Sequence, residues 1–348
     1  MLNAQRLVWL AFLAVAVVLV VGCGDDSPTG PRSPGDLVFY LNDANLHDTF
    51  YAYHPITNHL DTISAPFSAR YGLTASSDGS RLYCCQGGNV IVADTAFGII
   101  TALPYNSTDG AAVSPDGRYV AFCSDSILTI LHTKDFSIVY QDTVNTSSGI
   151  FSSDSKHFFC SAGAAGREVF QVSLGETGTS ISRREFSSRV LHVVPSYDRR
   201  KWFLYLRVTN NLARLQVYDV LKDSVESSIS LYPGQGYLEL CPNGRYLAVS
   251  YPGTMGSDPA PSRFTLFDTR ANEILSDVET GDLIDQNGDS VLYLPISAMR
   301  WAPDQCHLVA LGGPYRETFI VFNLCEMKVE RTIYVSRHST LQWVTCKN

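Results

Sequence analysis

SPDGRYVAF, Ser114 to Phe122, is the stretch on which the fold turns. The chain rewrites it as SSDGSRLY (76–83), SSDSKHFF (152–159), PNGRYLAV (242–249) and APDQCHLV (302–309). Aligned on the turn, Asp78-Gly79, Asp116-Gly117, Asp154-Ser155, Asp198-Arg199, Asn243-Gly244 and Asp304-Gln305 share one position, at spacings of 38, 38, 44, 45 and 61 residues. A short apolar strand precedes each turn (GLTAS, AAVS, GIFS, HVVP, LELC, MRWA). A more hydrophobic one follows it (RLYCC, YVAFC, HFFCS, WFLYLRV, YLAVSY, HLVAL). Asp-Gly between two strands signals a hairpin, because Gly takes the positive φ that a tight turn needs.

A second mark recurs downstream. Asp94, His132, Ser173, Asp219, Asp268 and Asn323 each end an alternating strand (VIVAD, LTILH, VFQVS, LQVYD, FTLFD, FIVFN), and a more polar strand follows. Short polar side chains start turns by bonding their own backbone. Each unit therefore predicts four antiparallel strands, and repeats of roughly 40 residues with four strands are the mark of β-propeller blades. Six units are complete. At the front, LVFYLN (37–42), FYAYHP (50–55) and HLDTIS (59–64) form a blade lacking its first strand. LQWVTCKN (341–348) aligns with AAVSPDG, Val344 on Val113 and Asn348 on Gly117, and supplies it. The expectation is an all-β, seven-bladed propeller over residues 36–348, closed by its C-terminal strand. These marks resemble the bacterial propellers of the YVTN and TolB-type families, related to WD-like repeats; the resemblance covers about residues 37–348 and implies fold rather than activity.

The front of the chain gives an address. Arg6 precedes an apolar run, Leu7 to Val21, too short for a membrane span and suited to a signal peptide over residues 1–22. Val20-Val21-Gly22-Cys23 resembles the bacterial lipobox, which implies a lipidated Cys23. Several acyl chains on one residue hold a protein firmly on a membrane. Gly24 after the Cys implies the outer rather than the inner membrane. Residues 23–35, rich in Pro and Gly, read as a tether. The expected location is the cell envelope, outside the cytoplasm.

A net charge of −8 argues against nucleic acid and against adsorption on anionic lipid, and no basic cluster stands out along the chain. There is no GxSxG, P-loop, HExxH, CxxC or other catalytic or cofactor motif. Asp285, Asn287 and Asp289 resemble the start of a calcium loop, but Asn287-Gly288 reads equally as a type I′ turn. The loops that vary most share one face of a propeller, and a rim of Tyr251, Met255, Tyr315 and Arg316 is the expected binding face for a partner protein or peptide. The leading expectation is a monomeric, non-catalytic interaction platform. A sensor for a small molecule or sugar, and a propeller hydrolase or lyase with a metal-assisted site at the central channel, are the alternatives.

Cys85, Cys123 and Cys160 sit among apolar strand residues and read as small buried hydrophobes. Cys306 and Cys325 fall nearly opposite in one hairpin, at the spacing a disulfide needs. Counting alkylated thiols by intact mass is expected to find these two shielded before reduction and reactive after it. Both thiols free without reductant would remove the bridge.

Overall fold

The computed structural model describes residues 37–43, 48–54, 59–68, 73–76, 80–86, 88–105, 111–124, 126–163, 165–175, 178–209, 212–231, 236–241, 243–251, 263–279, 298–301, 307–312, 318–323, 328–334 and 339–346. They form twenty-eight strands, grouped below by blade in their order around the ring. Blade 1 holds β1 (Leu37–Asp43), β2 (Thr49–His54) and β3 (His59–Ser64). Blade 2 is β4 (Leu73–Ala75), β5 (Arg81–Gln86), β6 (Asn89–Asp94) and β7 (Ile99–Leu103). Blade 3 is β8 (Ala111–Val113), β9 (Tyr119–Ser124), β10 (Ile127–His132) and β11 (Ile138–Thr143). Blade 4 is β12 (Thr146–Phe151), β13 (His157–Ala162), β14 (Glu168–Gly175) and β15 (Gly178–Glu185). Blade 5 is β16 (Arg189–Pro195), β17 (Lys201–Thr209), β18 (Leu212–Asp219) and β19 (Ser224–Leu231). Blade 6 is β20 (Tyr237–Leu240), β21 (Tyr246–Tyr251), β22 (Arg263–Asp268) and β23 (Glu273–Glu279). Blade 7 is β24 (Ala298–Trp301), β25 (His307–Gly312), β26 (Thr318–Asn323) and β27 (Lys328–Tyr334). The last strand is β28 (Ser339–Cys346).

Counted along the chain, six blades of four antiparallel strands are complete in themselves, blades 2 to 7. The remaining four-stranded sheet is no contiguous blade. It has the order β28-β1-β2-β3 and joins the two ends of the chain. Its ladder runs from Leu37↔Cys346 to Asp43↔Ser339, with one irregularity at Tyr40/Leu41. The first strands lie side by side around the axis: β28 against β4, then β8, β12, β16, β20 and β24, which returns to β28. The four-stranded sheets around that ring number seven.

Strand alternation explains the packing. The middle strands are buried on both faces, as in β5, where Leu82, Tyr83, Cys84 and Cys85 are all buried. Even and odd positions then serve opposite neighbours. Leu82 and Cys84 pack with Phe50 and Phe67 of blade 1. Tyr83 and Cys85 pack with Val120 and Phe122 of blade 3. Blades 3 and 4 meet through Cys123, Ile130, Phe158 and Cys160, and blades 6 and 7 through Leu266, Phe264, Trp301 and Phe322. Aromatic rings reinforce these seams: Phe264 and Phe322 stack with centroids 5.0 Å apart. Cys84, Cys85, Cys123, Cys160 and Cys241 are buried. One strand boundary differs from expectation. Ser173 does not end its strand, because β14 runs on to Gly175 and pairs with β15 through Gly175↔Gly178. Leu174 there is buried in the blade 3–4 core, which favours continuing the ladder.

The ring rests on a ladder between the two chain ends. A chain lacking residues 339–348 is therefore expected to lose its cooperative thermal transition, followed by circular dichroism. A sharp transition near that of the full chain would show that the remaining sheets stand without closure.

Candidate functional site

Acids repeated around a ring invite a catalytic reading, but the periodic residues here are held in turns. Ser114 Oγ donates to Asp116 Oδ1 at 2.7 Å. Arg118 N donates to the same oxygen at 3.0 Å, and Tyr119 N to Ser114 Oγ at 2.9 Å. Ser152 and Asp154 repeat this set at 2.6, 3.1 and 3.0 Å, and Ser196 and Asp198 at 2.7, 3.1 and 3.0 Å. The residue after each acid turns left-handed: Gly117 has φ 71°, Gly244 73°, Ser155 60° and Arg199 60°. A non-Gly residue there carries a steric cost of roughly 1 kcal/mol. The side chains offset it across the blade seam. Ser155 Oγ accepts from Asp116 N at 2.9 Å, and Arg199 pairs with Asp154 at 2.9 Å. At Gly244 a side chain is excluded, since a Cβ would stand 2.5 Å from Cβ of Tyr197.

The second mark is equally structural. Asp94, Asp219 and Asp268 each accept two backbone N–H groups of their own turn, at 2.8–3.0 Å. Thr133 and Thr269, next along the chain from His132 and Asp268, bond the carbonyls of Gly117 and Gly244, both at 2.6 Å. Burial opposes the charge of Asp116, Asp154 and Asp268. Backbone and hydroxyl donors, with Arg118, Arg199 and Arg245, outweigh it and hold all three below the usual carboxylate range. Among the described residues, the repeated Ser, Asp, Asn and Thr thus build the face that carries the first-to-second and third-to-fourth strand turns. The opposite face, here the loop face, carries the other connections.

The candidate site lies on the channel wall made by the first strands of blades 5, 6 and 7. These strands have a free edge toward the axis, so side chains of neighbours take up its carbonyls. Thr74 Oγ1 donates to Ala111 O at 2.6 Å and Trp301 Nε1 to Glu239 O at 2.9 Å. Arg300 Nη1 donates to Met299 O at 2.7 Å. Register makes Thr74, Ala112, Ile150, Val194, Glu239 and Arg300 equivalent positions. Blades 6 and 7 alone among these carry charge there. Glu239 and Arg300 pair at 3.6 Å, with 27% of the Glu239 side chain exposed. Burial nevertheless lifts the Glu239 carboxyl, although Arg300 and the Trp301 backbone N–H favour its charge. Solvent still touches this carboxyl, while the surrounding protein desolvates its charged form.

His192 joins this wall from blade 5. Burial lowers its pKa, against a hydrogen bond with the Gly236 backbone, so its imidazole is neutral at pH 7. Its ring lies 6.0 Å from that of Tyr237 and 6.5 Å from that of Tyr205. Gly236 admits no side chain, since a Cβ would fall 2.4 Å from Tyr205 Cζ. Glu239 and Arg300 offer a carboxyl and a guanidinium at the seam of blades 6 and 7, and His192 beside Tyr237 offers an imidazole at the seam of blades 5 and 6, groups that suit hydrogen bonding to a polar ligand. Among the described residues, no group of three or more His, Cys, Asp or Glu side chains is placed to hold a metal ion.

Of the site residues singled out in the sequence, Tyr251 is among the described residues, and it stands in a second strand, not in this wall. Tyr251 closes β21 and pairs with Arg263 of β22, at the loop-face end of that hairpin. Met255, Tyr315, Arg316, Asp285, Asn287, Asp289, Cys23, Cys306 and Cys325 lie outside the described residues. His192, Glu239 and Arg300 were missed. Their signal was a charged or imidazole residue inside the short first strands HVVP, LELC and MRWA, where the other blades have small or apolar ones.

No family model matches the chain, and no curated protein sequence matches it. Many solved structures share its fold. The Cps50 (Swd1) β-propeller domain of Myceliophteria thermophila matches with a TM-score of 0.61 at 13% identity, over 81% of this chain and 91% of that one. Hydrazine synthase of Kuenenia stuttgartiensis matches with 0.62 at 14%, over 78% and 88%. The dihydro-heme d1 dehydrogenase NirN in complex with DHE matches with 0.60 at 14%, over 90% of this chain and 66% of that one. At such identities the likeness establishes a β-propeller and nothing finer.

Glu239 gives a pH test. Its raised carboxyl binds a proton in the folded state that the unfolded chain releases at about pH 4.3. Stability from this group is therefore full at low pH and lost as pH rises through the raised value. Glu239→Gln is expected to leave the melting temperature unchanged near pH 4 and to raise it at pH 8. A fall at pH 8 would mean that the pairing with Arg300 outweighs desolvation.

Proposed function

We propose that this protein is a lipid-anchored, extracytoplasmic propeller that serves as a non-catalytic platform for a partner protein or peptide in the cell envelope. One observation carries the reading. The repeated Ser, Asp, Asn and Thr residues are engaged in turns on a single face, which leaves recognition to the connections of the opposite face. The lipobox resemblance at Cys23 and the tether of residues 24–35 support the location, and the SPDG and aspartate marks support kinship with YVTN and TolB-type propellers. The Gly at position 24 supports the outer membrane.

A second reading is favoured by Glu239, Arg300 and His192: a small polar ligand held in the channel mouth, as a sensor. One structural neighbour is named as a complex with the small molecule DHE, and that neighbour and hydrazine synthase are both named as enzymes. A hydrolytic or lyase chemistry at the axis would need further groups to join these three.

Both readings separate in one experiment. Tagged full-length protein, crosslinked in native membranes and recovered, is expected to bring down a stoichiometric partner. Cys23→Ala is expected to leave the membrane fraction and lose that partner. Replacing residues 252–262 with a short Gly-Asn hairpin is expected to weaken recovery without changing fractionation. Recovery at background level, with thermal stabilisation by small polar ligands that Glu239→Gln abolishes, would favour the channel instead.

A further inference from the structure

The folded ring concentrates at one corner part of a positive excess that the sequence spreads over blades 4 and 5. Residues 146–214 carry ten Lys and Arg against five Asp and Glu, a net of +5 within a chain of −8, so the remainder carries −13. On the turn face, Arg118 pairs with Asp116, Arg199 with Asp154, Lys222 with Asp219 and Arg245 with Asp268, while the exposed Lys134, Lys156 and Arg200 have no carboxylate within ion-pair distance among the described residues. At the opposite end of blades 4 and 5 three such cations come together. Arg167, Arg189 and Arg207 are exposed, and none has a carboxylate within ion-pair distance among the described residues.

Backbone geometry brings the three together. Arg189 opens β16 and pairs directly with Arg207 of β17. Residues so paired have Cβ atoms about 5 Å apart, and like charges there destabilise the ladder. Val190 N donates to Gly166 O at 2.7 Å, and Phe186 N to Arg167 O at 2.8 Å, which ties the blade 4 loop to the start of β16. Gly166 has φ +62°, and a Cβ on it would stand 3.2 Å from Cγ and Nε of Arg189. The Arg189 stem therefore lies along the residue next to Arg167. Glu168 and Glu185 face each other on the outer strands of blade 4 and pair with none of these arginines. Three unmatched guanidinium groups on pinned backbone form one corner of the loop face.

We infer that this corner docks an acidic peptide segment of a partner protein. Guanidinium forks bind carboxylates in two-point contacts, and a pinned backbone reduces the ordering that binding requires. Incoming carboxylates also relieve the Arg189–Arg207 repulsion. A lipid surface or a long polyphosphate would have to meet the −13 of the remaining chain, whereas a short segment meets only the corner. The inference rests on the loop face being the recognition face, and it names the chemistry of the partner.

Poly-glutamate in the form of a labelled, short glutamate oligopeptide, followed by fluorescence anisotropy against the full chain, is the test. Binding is expected at about 50 mM salt and should fall steeply by about 300 mM. Arg189→Glu with Arg207→Glu should weaken it roughly tenfold or more. Arg118→Glu on the turn face should leave it unchanged. Arg207→Gln should weaken binding while the melting temperature holds or rises, because it removes a like-charge pair; that separates lost recognition from lost folding. Equal binding by the double variant would overturn the inference. So would arginine-dependent binding to phosphatidylglycerol vesicles without binding to poly-glutamate. If a membrane partner is recovered but survives the double variant, this corner is wrong and the platform stands. If poly-glutamate binds through these arginines and no partner is recovered, the corner stands and the platform does not.

Discussion

The backbone ladder between Leu37–Asp43 and Ser339–Cys346 is the constraint on which the ring depends. It joins strands separated by almost the whole chain. The entropy of closing so long a loop grows only slowly with its length, so the ladder is affordable once the blades between are formed. Closure gives β28 and β24 a neighbour each and leaves no seam of the ring open to solvent or to a second chain. Blades are four-stranded sheets whose middle strands are apolar on both faces, and each is stable only between two neighbours. A ring broken at one seam exposes two such faces.

The seams determine what the side chains can do. Cys84 and Cys85 are adjacent in sequence and belong to different cores, because successive strand residues point to opposite faces. Burial pushes the Cys84 thiol up to about 12 and the Cys160 thiol to about 11. Reactivity belongs to the thiolate, so these thiols act as apolar filling. Seam contacts also tie turn to turn. Ser155 and Arg199 occupy left-handed positions where glycine would be easier, and both reach to the preceding blade. What looks like decay of the repeat at these positions is a contact between blades.

The same logic separates structure from function. A residue repeated in blade after blade has equivalent neighbours, and the Asp-Gly and Asp-Thr marks are engaged within the turns of one face and across the seams between them. Function enters where one blade departs from the others. Glu239 and Arg300 stand where the corresponding residues are Thr74, Ala112, Ile150 and Val194. Arg189 and Arg207 stand opposite each other where a neutral pair would be more stable. Each departure has a local cost, in desolvation for Glu239 and in repulsion for the arginine pair, and each faces the channel or the loop face.

From sequence alone came the strand repeat, the position of most described turns, the one after β14 excepted, and the use of the C-terminal strand to complete the first sheet. All three depend on local periodicity and on turn residues whose chemistry acts within a few positions. Buried cysteines were legible for the same reason, from alternation. The channel wall and the basic corner were decided by tertiary structure. His192, Glu239 and Arg300 belong to three blades, and the spacing of Arg167, Arg189 and Arg207 along the chain carries no pattern. Only the curvature of the ring sets first strands side by side, and only the pairing of β16 with β17 puts two arginines face to face. Sequence periodicity reports the environment of a residue within its own blade, and a site shared between blades has no period to report.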